Sequence, residues 1–365
     1  MRMMLAALCA LLAAMPAVGA NDRKQNGIKD YLHRVPVPGA TGMAVDDETG
    51  TLVVGSASSK EAHLYVFQVN ANGHIPEEEP PKLALPKPNA LKKFDNYPLD
   101  LQFHPTLPVL YVWQDIKGPK PGSEQGKAVH EQFTHLLIFR VGPEGLKPEG
   151  AYASGKRFAY GQGRGTLAVS DDGKRLFVPN LKGNEPKKKN KNGAIGYYDL
   201  DEKGSLVPLP TPVEGSLDGR GVNKFEMEIR PKWIATGDQR PLPTGLGFAA
   251  PTSRVLVFGA HHGPGVWDTK DRRQKLSVVH IRGMNWCFIG CHPDLPVLYG
   301  AYANRNHLFL MAHADGFPTL LPRRTSVKHA RFQTPPVIYR GKRHGLAIGG
   351  NGRIHLVGLN GKGRF

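Results

Sequence analysis

Arg164 lies in the segment GQGRG and Arg343 in GKRH. A guanidinium in such a place can grip a carboxylate or phosphate through two parallel hydrogen bonds. His344 follows Arg343 directly, and GAHHGPG supplies His261 and His262. Imidazole titrates near neutral pH, so His344 or His261 beside such a grip could act as general base on a water. Asn285 and Trp286 in GMNW, Asn180 at the head of NLKGNEPKKKNKNG, and Asn304 and Arg305 in AYANRN join His262 as ligand-binding candidates. The chemistry such a set suits is capture of an anion, or hydrolysis of a lactone or ester held by its carboxylate.

Each group also has a plainer reading. Lys187, Lys188, Lys189 and Lys191 can form a solvated loop, and the histidines can be ordinary surface residues. Adjacent side chains on an extended strand point to opposite faces, so His261 and His262 are not expected to share a metal. GQGRG lacks the helix that a glycine-rich phosphate loop feeds. No serine elbow, zinc signature or cofactor fingerprint appears, and no cofactor is expected. Asp171-Asp172-Gly173 is a turn by its place in a repeat. DLDEKG from Asp199 is another turn, since Pro210 falls where a calcium loop needs a glutamate. His63, His135 and His307 share one repeat position, which favours a structural role.

That repeat is the strongest signal in the chain. LQFHPTLPVLYV from Leu101 and IGCHPDLPVLYG from Ile289 lie 188 residues apart and match at seven of twelve positions. Four more copies fit the same pattern: MAVDDETGTLVV from Met43, LAVSDDGKRLFV from Leu167, LGFAAPTSRVLV from Leu246 and LAIGGNGRIHLV from Leu346. Each is an apolar strand, a turn rich in Asp, Gly, Pro or Asn, and a second apolar strand, which is a hairpin signal. A second hairpin follows most copies, as in HLYVFQVNANG from His63, HLLIFRVGPEG from His135, IGYYDLDEKG from Ile195 and HLFLMAHADG from His307.

Two hairpins per unit make a four-stranded antiparallel sheet, and its repetition predicts an all-β β-propeller. The starts fall 58, 66, 79, 43 and 57 residues apart. They predict six four-stranded blades, and the longest gap leaves room for a seventh around KFEMEIRPKWIATG from Lys224. The last copy ends too near the C-terminus to complete a blade. Ile28–Gly39, IKDYLHRVPVPG, is expected to supply the missing strand and close the ring.

LAVSDDGKRLFVPN, with its two HP-containing relatives, resembles the hairpin of YVTN-type propellers and of the lactonase-like propeller family. The resemblance covers nearly the whole chain after its leader. It implies the propeller fold, commonly with seven blades, in a family that includes sugar-lactone hydrolases and muconate-lactonising enzymes. It also includes many exported proteins, so the resemblance fixes fold more firmly than chemistry.

The opening MRMMLAALCALLAAMPAVGA has a positive start, an apolar stretch and a small-residue Val18-Gly19-Ala20 site. It reads as a signal peptide over 1–20, leaving 21–365 as a single propeller domain that is secreted or periplasmic. No later segment is apolar enough to span a membrane. Cys287 and Cys291 on one extended strand would stand ~13 Å apart, beyond the ~7 Å that a disulfide spans, so two reduced thiols are expected. The formal charge of +17 favours an anionic small molecule, polymer or envelope protein as partner, with nucleic acid not expected for an exported monomer.

In this geometry the loops joining second to third strands and those leading into innermost strands open on one face. Arg164, Asn285, Trp286, Arg343 and His344 are placed on segments leading inward. Asn180, His261, His262, Asn304 and Arg305 lie on the second-to-third loops. Three functions fit: a binding propeller with a basic mouth, a lactone or ester hydrolase, and a structural envelope propeller without a small-molecule site.

Overall fold

The stretch Val109–Trp113 reads VLYVW, with no polar residue on either alternate, so a strand there must be buried on both faces. In the computed structural model Val109, Tyr111 and Trp113 pack on one side and Leu110 and Val112 on the other. The structure describes residues 31–58, 61–70, 74–75, 80–85, 95–119, 130–158, 167–180, 194–207, 216–217, 222–223, 232–234, 246–248, 255–260, 263–268, 274–275, 287–302, 305–314, 317–327, 331–339 and 345–365.

Strand β1 is Tyr31–Pro36. The next sheet holds β2 (Ala40–Asp46), β3 (Thr51–Ser58), β4 (Glu61–Gln68) and β5 (Lys82–Ala84). Its neighbour holds β6 (Asp95–Phe103), β7 (Val109–Pro119), β8 (His130–Gly142) and β9 (Gly145–Phe158). Then come β10 (Ala168–Val169), β11 (Arg175–Asn180), β12 (Ala194–Leu200) and β13 (Leu206–Val207), followed by a small pair, β14 (Ser216–Leu217) with β15 (Val222–Asn223). Strand β16 (Lys232–Ile234) adds to the edge of β12, making that sheet five-stranded. The next sheet is β17 (Leu246–Phe248), β18 (Val255–Ala260), β19 (Gly263–Asp268) and β20 (Gln274–Lys275). It is followed by β21 (Cys287–Cys291), β22 (Val297–Tyr302), β23 (His307–Ala314) and β24 (Phe317–Ser326). The last sheet runs β25 (Val337–Tyr339), β26 (Gly345–Gly350), β27 (Arg353–Gly358) and then β1, antiparallel throughout.

The fold is an all-β β-propeller with five four-stranded blades, and the β10–β13 sheet stands between two of them. First strands meet in a closed cycle: β2 touches β6, β6 touches β10, and so through β17, β21 and β25 back to β2. The hydrophobic core is divided among the blade interfaces. Ala44, Val53 and Leu64 of one sheet meet Leu101, Phe103, Leu110 and Phe139 of the next. Phe288, Tyr299 and Leu310 meet Phe332, Leu346 and Ile348, while Leu356 and Tyr339 face Met43 and Leu52. Successive side chains of β26 therefore serve two different interfaces, as a strand's period of two demands.

Two expectations need correction. The copy from Leu346 is not the first hairpin of its blade. Val337 pairs with Ala347 and Tyr339 with Gly345, so β25 lies inside β26 and the copy forms the second and third strands. The copy reads alike because any hairpin with an apolar strand on each side of a glycine turn gives the same pattern. The stretch considered for a seventh blade builds no separate sheet among the described residues: Trp233 pairs with Gly196 on the edge of β12.

Candidate functional site

The two closest copies explain each other in the structure. His104 Nδ1 accepts the amides of Thr106 (3.2 Å) and Leu107 (3.1 Å), and His292 Nδ1 accepts those of Asp294 and Leu295 (both 3.1 Å). Each imidazole thus caps its own HP turn. With Nδ1 an acceptor, the His104 proton sits on Nε2, which donates to the Gly173 carbonyl at 3.0 Å. Burial holds the His104 ring below its ordinary range, and the nearby Arg140 charge adds to this against the Gly173 bond.

Seven residues on, Tyr111 donates to the Gly204 carbonyl at 2.6 Å and Tyr299 to the Gly363 carbonyl at 2.8 Å. Each bond ties one sheet to the last turn of the next. Those turns are alike too: Asp201 Oδ1 accepts from Lys203 and Ser205, and Asn360 Oδ1 from Lys362 and Arg364. Gly204 and Gly363 have φ of +76° and +66°, and a Cβ on either would lie 2.9 Å from the tyrosine oxygen. The repeated dozen is a staple between neighbouring sheets, written once in each half of the ring.

The HP turns at His104 and His292, unlike the turns at Asp201 and Asn360, border a cavity of about 830 Å³ in the channel. Its wall comes from β2, β6, β10, β21 and β25, with Met43, Leu101, Phe103, Leu167, Ile289 and Ile338 as an apolar belt. Asp46, Asp47, Glu48, Asp100 and Asp171 also line it, and among the described residues no lysine or arginine does. The connections at Asp46–Thr49, His104–Pro108, Asp171 and His292–Pro293 all border this one volume. They join first to second strands, so those joints lie together at one end of the ring. Antiparallel alternation then sends the joints between second and third strands to the other end.

Asp100 is the unusual member. It is only 4% exposed, on an inner strand, and its Oδ2 accepts the Leu167 amide from the next sheet. Burial holds its carboxyl well above the usual range, against the opposing bonds from Leu167 and Leu101. Asp171 is raised by burial and then by Asp172 beside it. Burial and, secondarily, Asp171 push the Cys291 thiol up to about 12. Cys291 is a free thiol, as its place on the extended strand β21 led us to expect. No cluster of three or more metal-ligating side chains occurs among the described residues.

Sequence reasoning missed Asp100 because it stands one residue ahead of the repeat. The signal was present: the same place holds Gly42, Thr166, Gly245, Phe288 and Gly345 in the other copies, so Asp100 is the one charge. Of the residues singled out from sequence, Arg164, His261, His262, Asn285, Trp286, Asn304, Arg343 and His344 lie outside the described residues, as does the 1–20 leader. Asn180 ends β11, paired with Ala194, at the joint between second and third strands. Arg305 is exposed just before β23, where its amide donates to Tyr302 and its carbonyl accepts from Phe332. Arg343 and His344 fall between Tyr339 and Gly345, which are paired across β25 and β26. Their segment joins a first strand to a second and does not lead into an innermost strand. Asp171–Gly173 and Asp201–Gly204 are turns as expected, closed by Gly173 N to Ser170 O and Gly204 N to Asp201 O at 2.8 and 2.9 Å.

No protein-family model matches the chain, and no curated protein matches it. Solved structures do. A glucose dehydrogenase is similar at TM-score 0.54 and 13% identity, over 90% of this chain and 98% of that one. A chain of the mitotic checkpoint complex is similar at TM-score 0.52 and 11% identity, over 94% and 99%. The periplasmic gluconolactonase PpgL of Pseudomonas aeruginosa reaches TM-score 0.46 and 16% identity, over 86% and 80%. At such identities the likeness to the glucose dehydrogenase and to the checkpoint-complex chain bears on the fold alone.

Proposed function

We propose that this chain is an exported, monomeric binding propeller whose basic end holds an anionic ligand or partner. In this reading it is a YVTN-type, lactonase-like propeller of six blades. The β10–β13 sheet counts as the sixth blade, and the pairing of β1 with β27 closes the ring. The supporting observation is the convergence of the first-to-second joints on one cavity, which assigns the second-to-third joints to the opposite end. By sequence those joints carry Lys60, Lys120, Lys127, Lys182, Lys187, Lys188, Lys189, Lys191 and Arg305 against Glu124 and Glu185 alone. A cationic surface of this kind raises the local concentration of polyanions and speeds their encounter.

The alternative is a lactone or ester hydrolase, with Arg164 and Arg343 as carboxylate clamps and His344 or His261 as base. By sequence Arg164 precedes β10 and His261 follows β18, whereas Arg343 and His344 stand between β25 and β26, so in that reading His261 is the base that would accompany Arg164. The test is retention of residues 21–365 on polygalacturonate and on uncharged dextran, with salt varied. The proposal expects selective retention on the polyanion, weakened roughly tenfold or more by salt and by Lys187, Lys188, Lys189 and Lys191→Glu together. Equal retention on dextran, or no change in the variant, would overturn it.

A further inference from the structure

We infer a second binding site, of opposite preference, in the channel cavity at the other end of the ring: it takes an amphipathic organic cation, an ammonium head on an apolar body. The inference does not depend on the anion site. Its first ground is the cavity itself. About 830 Å³ lies within the range of small-molecule sites, and the belt of Met43, Leu101, Phe103, Leu167, Ile289 and Ile338 offers a body-length apolar wall.

The second ground is the sign of the polar groups. The chain has 48 Lys and Arg against 31 Asp and Glu, yet every charged side chain described on the lining is a carboxyl. Asp46, Asp47, Glu48 and Asp171 stand on the turns at the rim, and Asp100 lies in the wall, nine-tenths buried. The two histidines there have Nδ1 turned to backbone amides, which it accepts at 3.1 Å in both. An anion would meet carboxyls at every level of this cavity. A neutral molecule would gain the belt but nothing at the rim. An amine gains both, its apolar body displacing water from the wall while its head sits among rim carboxyls.

The site is also held in shape by contacts between neighbouring sheets. Asp100 ties β6 to β10 through the Leu167 amide, His104 reaches the Gly173 carbonyl, and the carbonyl of Pro336 fills the space where Gly290 lacks a Cβ. A preorganised wall needs little ordering on binding.

The test uses one apolar body with three heads: 4-phenylbutylammonium, 4-phenylbutanol and 4-phenylbutyrate, titrated calorimetrically into residues 21–365 at neutral pH. The ammonium should bind saturably with one-to-one stoichiometry. It should bind about fivefold or more tightly than the alcohol, with the carboxylate weakest. Glu48→Gln with Asp171→Asn, both on exposed turns, should bring the ammonium close to the alcohol while leaving the alcohol unchanged. Polygalacturonate should not displace the ammonium. Equal binding of the three heads, no saturable binding, or a preference for the carboxylate would overturn the inference. So would ammonium binding that emerges only after Arg340, Lys342 and Arg343 are replaced by Ala, because the chain's own cations would then be the natural occupants. If a variant unfolds, the head-group series on the unaltered chain still decides.

Discussion

At one end of the ring the joints between first and second strands are tight and capped by their own side chains, as at His104, Asp172 and His292. At the other end the joints between second and third strands run to ten residues after Pro119 and thirteen after Asn180. The tight joints hold five acidic and five basic residues, counting Asp47, Glu48, Asp171, Asp172 and Asp294 against Lys174, Arg254, Arg340, Lys342 and Arg343. The long ones hold nine basic residues and two acidic. Where the chain must fasten one blade to the next, its residues are spent on geometry. Where it need only cross from strand to strand, length and charge are free to vary, and there basic residues outnumber acidic ones.

The contrast breaks most sharply at the fastened end. Gly363→Val adds a side chain in a left-handed backbone position and a Cβ 2.9 Å from the Tyr299 oxygen. It should lower stability by about 3 kcal/mol, read as a fall in the urea midpoint. A valine at any of Lys187, Lys188, Lys189 or Lys191 should move that midpoint by no more than about 0.5 kcal/mol. An equal loss at both ends would erase the distinction.

A pH effect of similar size belongs to the same end. His313 on β23 lies behind the second HP turn, where its amide donates to Pro296 at 3.1 Å. Both its ring nitrogens are buried with no hydrogen-bond partner among the described residues, and burial pushes its imidazole down to about 4. The folded state therefore takes up this proton later than the unfolded chain, whose imidazole titrates near 6.5. Stability from this group is complete above the unfolded value and declines as pH falls from there toward about 4. The decline is ~3 kcal/mol. Urea midpoints measured across that window should flatten in His313→Leu, and an unchanged slope would remove His313 from the account.

The smallest effect sharpens the comparison of the two halves. Tyr111→Phe and Tyr299→Phe each remove one hydroxyl and leave a buried glycine carbonyl without its donor. Each should cost about 1–2 kcal/mol, and the two costs should agree because the staples have the same form. A loss confined to one would mean that the repeated sequence serves different ends in the two halves.

Much of this architecture is legible in the residues. The VLYVW run announces a strand buried twice over, and the HP, DDG and DEKG turns sit where their repeat positions put them. The legible part ends where local pattern loses its partner. Leu346–Val357 carries every mark of a first hairpin, yet strand period cannot say whether a further strand lies inside it. That strand is only Val337–Tyr339, preceded by two prolines and lacking a glycine turn. Trp233 likewise looks like the start of a blade, and only its pairing with Gly196 makes it an edge. The cavity escaped notice for a related reason. Asp46, Asp100 and Asp171 come from three different sheets, and nothing in their spacing announces that a ring brings them to one wall.

The most direct measurement is hydrogen–deuterium exchange of residues 21–365 with and without polygalacturonate. The two-ended account predicts protection in peptides covering 120–129 and 181–193, with none over the turns at 46–50, 104–108 and 171–174. Protection centred on those three turns would contradict it.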